Sequence, residues 1–566
     1  MDEKRRISGA NALLDALVAE GVDTVFGYPG GSIIPIYDAL YDYGGRLRHI
    51  FTRHEQGAVH AAEGYARATG GVGVCFATSG PGATNLLTGI ADAMIDSTPI
   101  VCVTAQVQVK ALGTDAFQEA DMISMTTPIT KWNYQIVSAD EIPAAVAKAF
   151  YIARTGRPGP VVLDITKNSQ TEMVDFEYKR CEGLRSYKAH PKLNEHAIAQ
   201  CIEMLNAAER PLIIFGQGVK LSGGERALIE LSEKGSIPAA STLLGLSAMP
   251  SSHPNYVGMV GMHGNVAPNR MTQQCDVLLA VGMRFSDRVT GDLSTYAKQA
   301  RIIHIDIDPS ELNRVVKPYL AINADAREAL EAIGRGIERR DRNAWFDYAA
   351  EQNRIEYDEV IVHDLHPAKE RLTMGEVVDR ISRAAGDDAI FVTDVGQQQM
   401  IAARYSRYRS TRSMITSGGL GTMGYGFPAA IGAKFGVPDR EVVLFVGDGG
   451  FQMTMQELGT VMEWGIDVKI VILNNSFLGM VRQWQELFYD KRYSSTRMVN
   501  PDFCKIAEAY NIASRRVITR EELKAGIEEM FATKGAYLLE VCTDEEDNVF
   551  PMIPSGADIS DIIYGE

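Results

Sequence analysis

The sequence predicts an α/β protein built from three doubly wound parallel-sheet domains, and three observations carry that expectation. Short, wholly apolar runs recur along the chain and alternate with stretches of helical periodicity, as parallel strands do when helices cover both faces of their sheet. The chain has 566 residues, more than one core accommodates, so about three domains are expected. The apolar runs also fall into three groups, separated by polar and weakly periodic segments.

In order, the first group holds Val22 to Phe26, Val72 to Ala77, Ile100 to Thr104 and Val161 to Ile165. The second holds Leu212 to Phe215, Val277 to Val281 and Ile302 to Ile307, and the third starts near Ile390 and includes Val442 to Val446 and Val468 to Leu473. Linkers are expected around 172–195 and 340–370, giving domains at 1–180, 190–345 and 370–566. No short repeat or low-complexity tract interrupts this pattern.

Composition narrows the partners. The net charge of −16 is spread along the chain without a basic run that would neutralise phosphates, which argues against nucleic-acid and membrane-surface binding. No apolar stretch approaches a membrane span, and the start lacks a signal-type apolar segment, so a cytoplasmic location is expected. The seven cysteines include no Cys-x-x-Cys pair and lie mostly in apolar runs, as reduced core residues do.

Chemistry first shows in the third group. Gly447-Asp448-Gly449-Gly450-Phe451 follows one apolar run, and Asn474-Asn475 follows the next. A lone Gly-Asp-Gly is an ordinary strand-to-helix turn. In a βαβ unit of about 30 residues, however, neighbouring strands deliver Asp448 and Asn475 to one point. A carboxylate, an amide oxygen and a nearby backbone carbonyl suit octahedral Mg²⁺, and glycines admit diphosphate close to the backbone. In the first group, Glu55 in Arg53-His54-Glu55-Gln56-Gly57-Ala58 stands where the Ala-rich helical run Ala61 to Ala68 begins. Taken alone, such a glutamate is more often a solvated partner of the helix dipole.

Gly-Asp-Gly followed by Asn-Asn resembles the signature of thiamin-diphosphate (ThDP) enzymes. His54 to Ala58 together with Ala77-Thr78-Ser79-Gly80-Pro81-Gly82-Ala83-Thr84-Asn85 looks like the pyrimidine-binding domain of their decarboxylase branch. Gly282-Met283-Arg284-Phe285-Ser286-Asp287-Arg288-Val289-Thr290-Gly291 resembles Gly-x-Arg-Phe-x-Asp-Arg-x-Thr-Gly of the acetohydroxyacid synthase (acetolactate synthase) large catalytic subunits, and the match spans nearly the whole chain. The resemblance implies a pyrimidine-binding, a central FAD-binding and a diphosphate-binding domain, in that order.

The same resemblance implies the site. Mg²⁺ would be held by Asp448, Asn475 and the backbone carbonyl of Phe477. ThDP would contact Pro29, Gly30, Pro81, Asn85, Val395, Gly396, Gln397, Gly421, Met423, Gly447, Gly449 and Gly450. FAD in a non-redox role would contact Arg157, Gly216, Gly218, Met262, His263, Gly264, Arg284, Asp306 and Asp325. Glu55 would face the coenzyme's pyrimidine ring, and Phe117, Gln118 and Lys167 would border the reacting centre. Arg288 would hold the carboxylate of the second substrate, and Trp484 would wall its pocket. The tail Val549 to Ala557 resembles a closing lid. The implied reaction is decarboxylation of pyruvate and ligation to pyruvate or 2-ketobutyrate, the first common step of branched-chain amino-acid biosynthesis. The family's site lies between subunits of a homodimer or tetramer, and a small regulatory subunit belongs to its repertoire. Gln398, Ile401, Ser286 and Met283 stand where many relatives carry His, Trp, Asp and Ala. The alternative is a flavin-independent catabolic acetolactate synthase or another ThDP decarboxylase, which a colourless purified protein would favour. A non-catalytic scaffold on the same fold would form no acetolactate.

Overall fold

The structure, a computed structural model, describes residues 5–565. Strand β1 (Arg5–Ser8) leads into the first sheet, which contains β2 (Thr24–Gly27), β3 (Arg48–Phe51), β4 (Gly73–Ala77), β5 (Ile100–Gln106), β6 (Trp132–Ile136) and β7 (Val161–Thr166). Their order in space is β3-β2-β4-β5-β7-β6, all parallel. The stretch expected as the first linker opens with β8 (Met173–Phe176), which pairs antiparallel with β1 and ties the domain's two ends together.

The middle sheet holds β9 (Pro211–Phe215), β10 (Ala239–Ser241), β11 (Tyr256–Met259), β12 (Val277–Val281), β13 (Arg301–Asp306) and β14 (Leu320–Asn323), in the order β11-β10-β9-β12-β13-β14. The third holds β15 (Ile390–Thr393), β16 (Met414–Ile415), β17 (Val442–Gly447), β18 (Lys469–Asn474), β19 (Ala513–Val517) and β20 (Tyr537–Cys542), in the order β16-β15-β17-β18-β20-β19. The first and third sheets therefore share one topology, and the middle sheet has the order found in dinucleotide-binding folds. In each, the chain runs to one edge and then crosses back, leaving a crevice at the carboxyl ends of β2 and β4, of β9 and β12, and of β15 and β17. Ligands of open α/β sheets bind in such crevices.

The first and third domains are pressed together through the helices Glu55–Thr69 and Gly426–Gly436. Small residues make this approach possible. A Cβ on Gly64 would stand 2.0 Å from the Ala429 carbonyl oxygen, and one on Gly432 would stand 1.8 Å from that of Ala61. The segment 340–370, expected as a second linker, is instead largely helical. Its helix Asn343–Glu356 buries Trp345, Ala349, Gln352 and Glu356 on one stripe against the middle domain. Two members of that stripe are polar, so apolar periodicity understates the helix. Glu356 accepts from the Asn265 side chain at 2.9 Å and from the Val266 backbone at 2.7 Å, which satisfies its burial.

Candidate functional site

The crevice of the third sheet is assembled from strand ends. Asp394 follows β15, is fully buried, and accepts from the backbone N–H groups of Val395 at 2.8 Å, Gly424 at 3.1 Å and Gly426 at 2.8 Å. Burial holds its carboxyl above the usual range, and those three donors oppose the shift. Asp394 thereby fixes the loop that carries Gly421 and Met423 over the end of β15. Gly450 must lack a side chain here, because its Cβ would lie 2.6 Å from Asp394 Oδ1.

Asp448 opens the helix after β17 and is 1 % exposed; burial pushes its carboxyl up to about 6. It accepts from Asn500 Nδ2 at 2.6 Å, and among the described residues no Lys or Arg reaches it as an ion-pair partner. Asn475, just past β18, accepts from the Phe477 N–H at 3.2 Å and donates to Gln397 Oε1 at 3.1 Å. A buried carboxylate without a countercharge, beside an amide oxygen and a turn whose carbonyl is that of Phe477, is an all-oxygen donor set that fits a hard divalent cation.

The crevice of the middle sheet opens into a cavity of about 1050 Å³. All nine residues expected to contact FAD line it: Arg157, Gly216, Gly218, Met262, His263, Gly264, Arg284, Asp306 and Asp325. So do Val395, Gly396, Gly421, Met423, Arg288 and Trp484, so the middle-sheet crevice is continuous with that of the third sheet. Gly216 and Gly218 are required by contact, since their Cβ atoms would lie 2.3 Å from Gly282 O and 2.6 Å from Gly282 Cα. Arg284 reaches across the domain boundary, its Nη2 3.1 Å from where Gly419 would carry a Cβ. Asp306 ends β13, and burial raises its carboxyl to about 7; His263 is held uncharged near 3 by burial, and its Nδ1 is buried with no hydrogen-bond partner. An orphaned ring nitrogen and a groove of this size fit a dinucleotide-sized ligand.

Some of these residues already have partners. Arg157 lies 2.5 Å from Glu311 and donates to Ser97 Oγ at 2.8 Å. Asp325 caps the helix Ala326–Gly336 by accepting from the Glu328 N–H at 3.2 Å. Arg288 is largely exposed, 3.5 Å from Asp287 and 3.4 Å from Ser555 Oγ. Trp484 rests on Phe488 along the helix Gly479–Phe488. The tail spans the cavity's border. Gln483 exchanges two hydrogen bonds with the Val549 backbone at 3.0 and 2.9 Å, and the Ile553 N–H donates to Met262 O at 2.8 Å.

A second cluster forms at the crevice of the first sheet. Glu55 is the first residue of its helix, capped by His54, and is 8 % exposed rather than solvated. It accepts from Asn85 Nδ2 at 2.9 Å, and Gly82 leaves room for it, since a Cβ there would stand 3.0 Å from Glu55 Oε1. Gly30 packs on Thr78, Gly80 backs onto Gln118, Pro81 starts the short helix Pro81–Thr84, and Lys167 Nζ donates to Gly31 O at 3.4 Å. Pro29 sits in the loop that follows β2. Phe117 is 88 % exposed. None of this cluster lines the large cavity, and neither do Asp448, Asn475 and Phe477, so within one chain that cavity brings together the flavin-side residues with Val395, Gly396, Gly421, Met423, Arg288 and Trp484.

The sequence assigns no role to Asp394, which opens the Asp394-Val395-Gly396-Gln397 segment, or to Asn500. Asp394 carried the same signal as Asp448, an acid directly after a buried strand. Asn500 stands on a loop after β18 and had no such signal. Ser417 was also missed: its Oγ accepts from the N–H groups of Gly421 at 3.1 Å and Thr422 at 2.9 Å and donates to buried Asp92, which roots the loop in the first domain.

Comparison with known proteins agrees with this architecture. Residues 7–125, 198–333 and 394–541 match the thiamine pyrophosphate enzyme N-terminal TPP binding domain, central domain and C-terminal TPP binding domain. The chain is 44 % identical to a probable acetolactate synthase large subunit from Methanocaldococcus jannaschii, over 98 % of this chain and 95 % of that protein. It is 43 % identical to the acetolactate synthase isozyme 2 large subunit of Escherichia coli K12, over 98 % and 99 %, and 42 % identical to acetolactate synthase 1, chloroplastic, of Nicotiana tabacum, over 99 % and 85 %. Three ThDP-enzyme domains in order, and identity of this level along the whole length, mean that the chain belongs to the acetolactate synthase large-subunit family of ThDP-dependent enzymes.

Proposed function

We propose that this chain condenses pyruvate with a second 2-ketoacid: two pyruvates give 2-acetolactate and CO₂, and pyruvate with 2-ketobutyrate gives 2-aceto-2-hydroxybutyrate and CO₂, a proton ending on the new hydroxyl. The reading places the reaction at the head of branched-chain amino-acid biosynthesis in the cytoplasm. It divides the chain into a pyrimidine-binding domain at 1–180, a FAD-binding domain at 190–345 and a diphosphate-binding domain at 370–566. ThDP, when bound, supplies the electron sink that lets pyruvate lose CO₂ and donate its remaining two-carbon unit.

The protein's own groups do the rest. Asp448, Asn475 and the Phe477 carbonyl would hold Mg²⁺, and Gln397, Gly447, Gly449 and Gly450 would border the diphosphate. Gly421 and Met423 shape the seat. Glu55 would hydrogen-bond the ring nitrogen of the coenzyme's pyrimidine, with Pro29, Gly30, Pro81 and Asn85 around it. Arg288 pairs with the second ketoacid's carboxylate through its planar fork, and Trp484 gives a flat wall worth about 1 kcal/mol for one extra methyl group. Phe117, Gln118, Lys167 and the tail keep water from the reacting atoms. FAD is a structural occupant of the large cavity, because the overall reaction transfers no net electrons. The reading takes Glu55 from one subunit and Asp448 from another in a homodimer or tetramer, an arrangement compatible with Glu55 lining no part of the large cavity of its own chain; a small regulatory subunit is compatible with it too.

The observation that carries the proposal is the single cavity shared by the nine flavin-side residues, Gly421, Met423, Arg288 and Trp484. The test is a product assay with pyruvate and 2-ketobutyrate in competition, with and without ThDP, Mg²⁺ and FAD. Both acetohydroxyacids should form only with ThDP and Mg²⁺ present, on a yellow protein. Acetaldehyde as the main product, or full activity from a flavin-free protein, would favour the alternative ThDP decarboxylase.

A further inference from the structure

Where the three domains meet, next to the large cavity, lies a smaller one of about 70 Å³. Four cationic side chains line it, and no Asp or Glu does: Arg67 and Arg154 from the first domain, Lys220 from the middle domain and Arg412 from the third. Two are already matched, Arg67 by Asp96 at 2.8 Å and Arg154 by Glu20 at 2.7 Å. Lys220 and Arg412 are not: among the described residues no carboxylate lies within ion-pair distance of either. Lys220 is 7 % exposed, and its ammonium donates to the Leu246 carbonyl at 2.8 Å. Arg412 donates to the Lys220 carbonyl at 2.8 Å and passes over the end of the helix Glu55–Thr69. Gly70 admits it, since a Cβ there would be 2.8 Å from the guanidinium carbon.

Two further donors on the same wall are orphaned. Thr98 Oγ1 and Arg67 Nε are buried with no hydrogen-bond partner. The ammonium of Lys220 is also pushed down to about 7, by burial first and then by Arg412 and Arg67, with Glu225 opposing from beyond ion-pair distance. A space of this size holds a few waters or one tetrahedral oxyanion. Waters would satisfy the hydroxyl and Nε but leave the half-buried Arg412 guanidinium and the buried Lys220 amine without an anionic partner. An oxyanion satisfies both needs, through charge-assisted bonds from the ammonium and the guanidinium.

We propose that this junction cavity binds a small inorganic oxyanion of phosphate size, held by Lys220, Arg412, Arg67 and Thr98, which neutralises the point where the three domains touch. The test uses holoenzyme saturated with ThDP, Mg²⁺ and FAD, so that the diphosphate seat and flavin cavity are already filled. Millimolar inorganic phosphate is titrated against chloride at constant ionic strength. The melting temperature should rise saturably by a few degrees with phosphate alone, as binding to the folded state requires, and the rise should vanish in Lys220→Met. In crystals of the unaltered holoenzyme, selenate should give an anomalous peak between Lys220 and Arg412. An equal rise in chloride, an undiminished rise in Lys220→Met, or ordered water alone in the cavity would overturn the proposal.

Discussion

Glu55 shows how far a single residue can be read. Its position before an Ala-rich run marks a helix start, but whether it is solvated or buried depends on Gly82 and Asn85, which fold against it from 27 and 30 positions further on. Asp448 was more legible, since an acid immediately after a fully apolar strand must sit at a sheet's carboxyl edge. Asn500, its hydrogen-bond partner, was not, because loop residues carry no periodicity. Replacing Glu55 with Gln keeps shape and burial but removes the ionisable carboxyl. Glu55→Gln is expected to retain ThDP, measured by equilibrium binding, while acetolactate formation falls by about 10²–10⁴-fold. Near-normal turnover would remove Glu55 from its assigned role.

At the scale of elements, the apolar runs found in the sequence correspond to β2, β4, β5 and β7 in the first sheet, to β9, β12 and β13 in the second, and to β15, β17 and β18 in the third. All ten are interior strands, which are covered on both faces and so must be apolar throughout. Edge strands such as β6 and β19 are half-exposed and mix polar with apolar residues, and β10 is only three residues long; the sequence pattern missed them for that reason. The helix Glu55–Thr69 carries two testable consequences. Gly432→Ala would drive a methyl group into the Ala61 carbonyl, and urea titration should show a loss of about 1–3 kcal/mol. The same helix buries Glu63, whose carboxyl is raised by burial from the ordinary 4.5 to about 8, with Arg67 opposing. Between those values the folded state binds the proton and the unfolded state does not, so this contribution to stability is full below pH 4.5 and lost as pH rises toward 8. Melting curves from pH 5 to 8 should fall less steeply for Glu63→Gln than for the parent protein.

For the whole molecule, the count of three α/β domains was legible from spacing alone, and their order from the resemblance. The separation of Glu55 from the large cavity was not, because it depends on how the first domain docks on the third. That separation makes a quantitative prediction. Glu55→Gln chains and Asp448→Asn chains should each be inactive by themselves, yet co-expressed they should recover about a quarter of parental activity. Half of randomly assorted dimers are mixed, and one of the two sites in each is then free of both changes. No recovery, in a preparation shown to contain mixed dimers, would mean that each chain completes its own site.

The backbone-to-backbone seam at Gly64 and Gly432 has a mechanical corollary. Two helices in such contact leave no slack for sliding or twisting, so the outer domains of a chain form one rigid lever. Any breathing that lets ketoacids in or acetohydroxyacids out is thereby displaced onto the softer joints: the strap formed by residues 549–557 and the boundary with a neighbouring molecule.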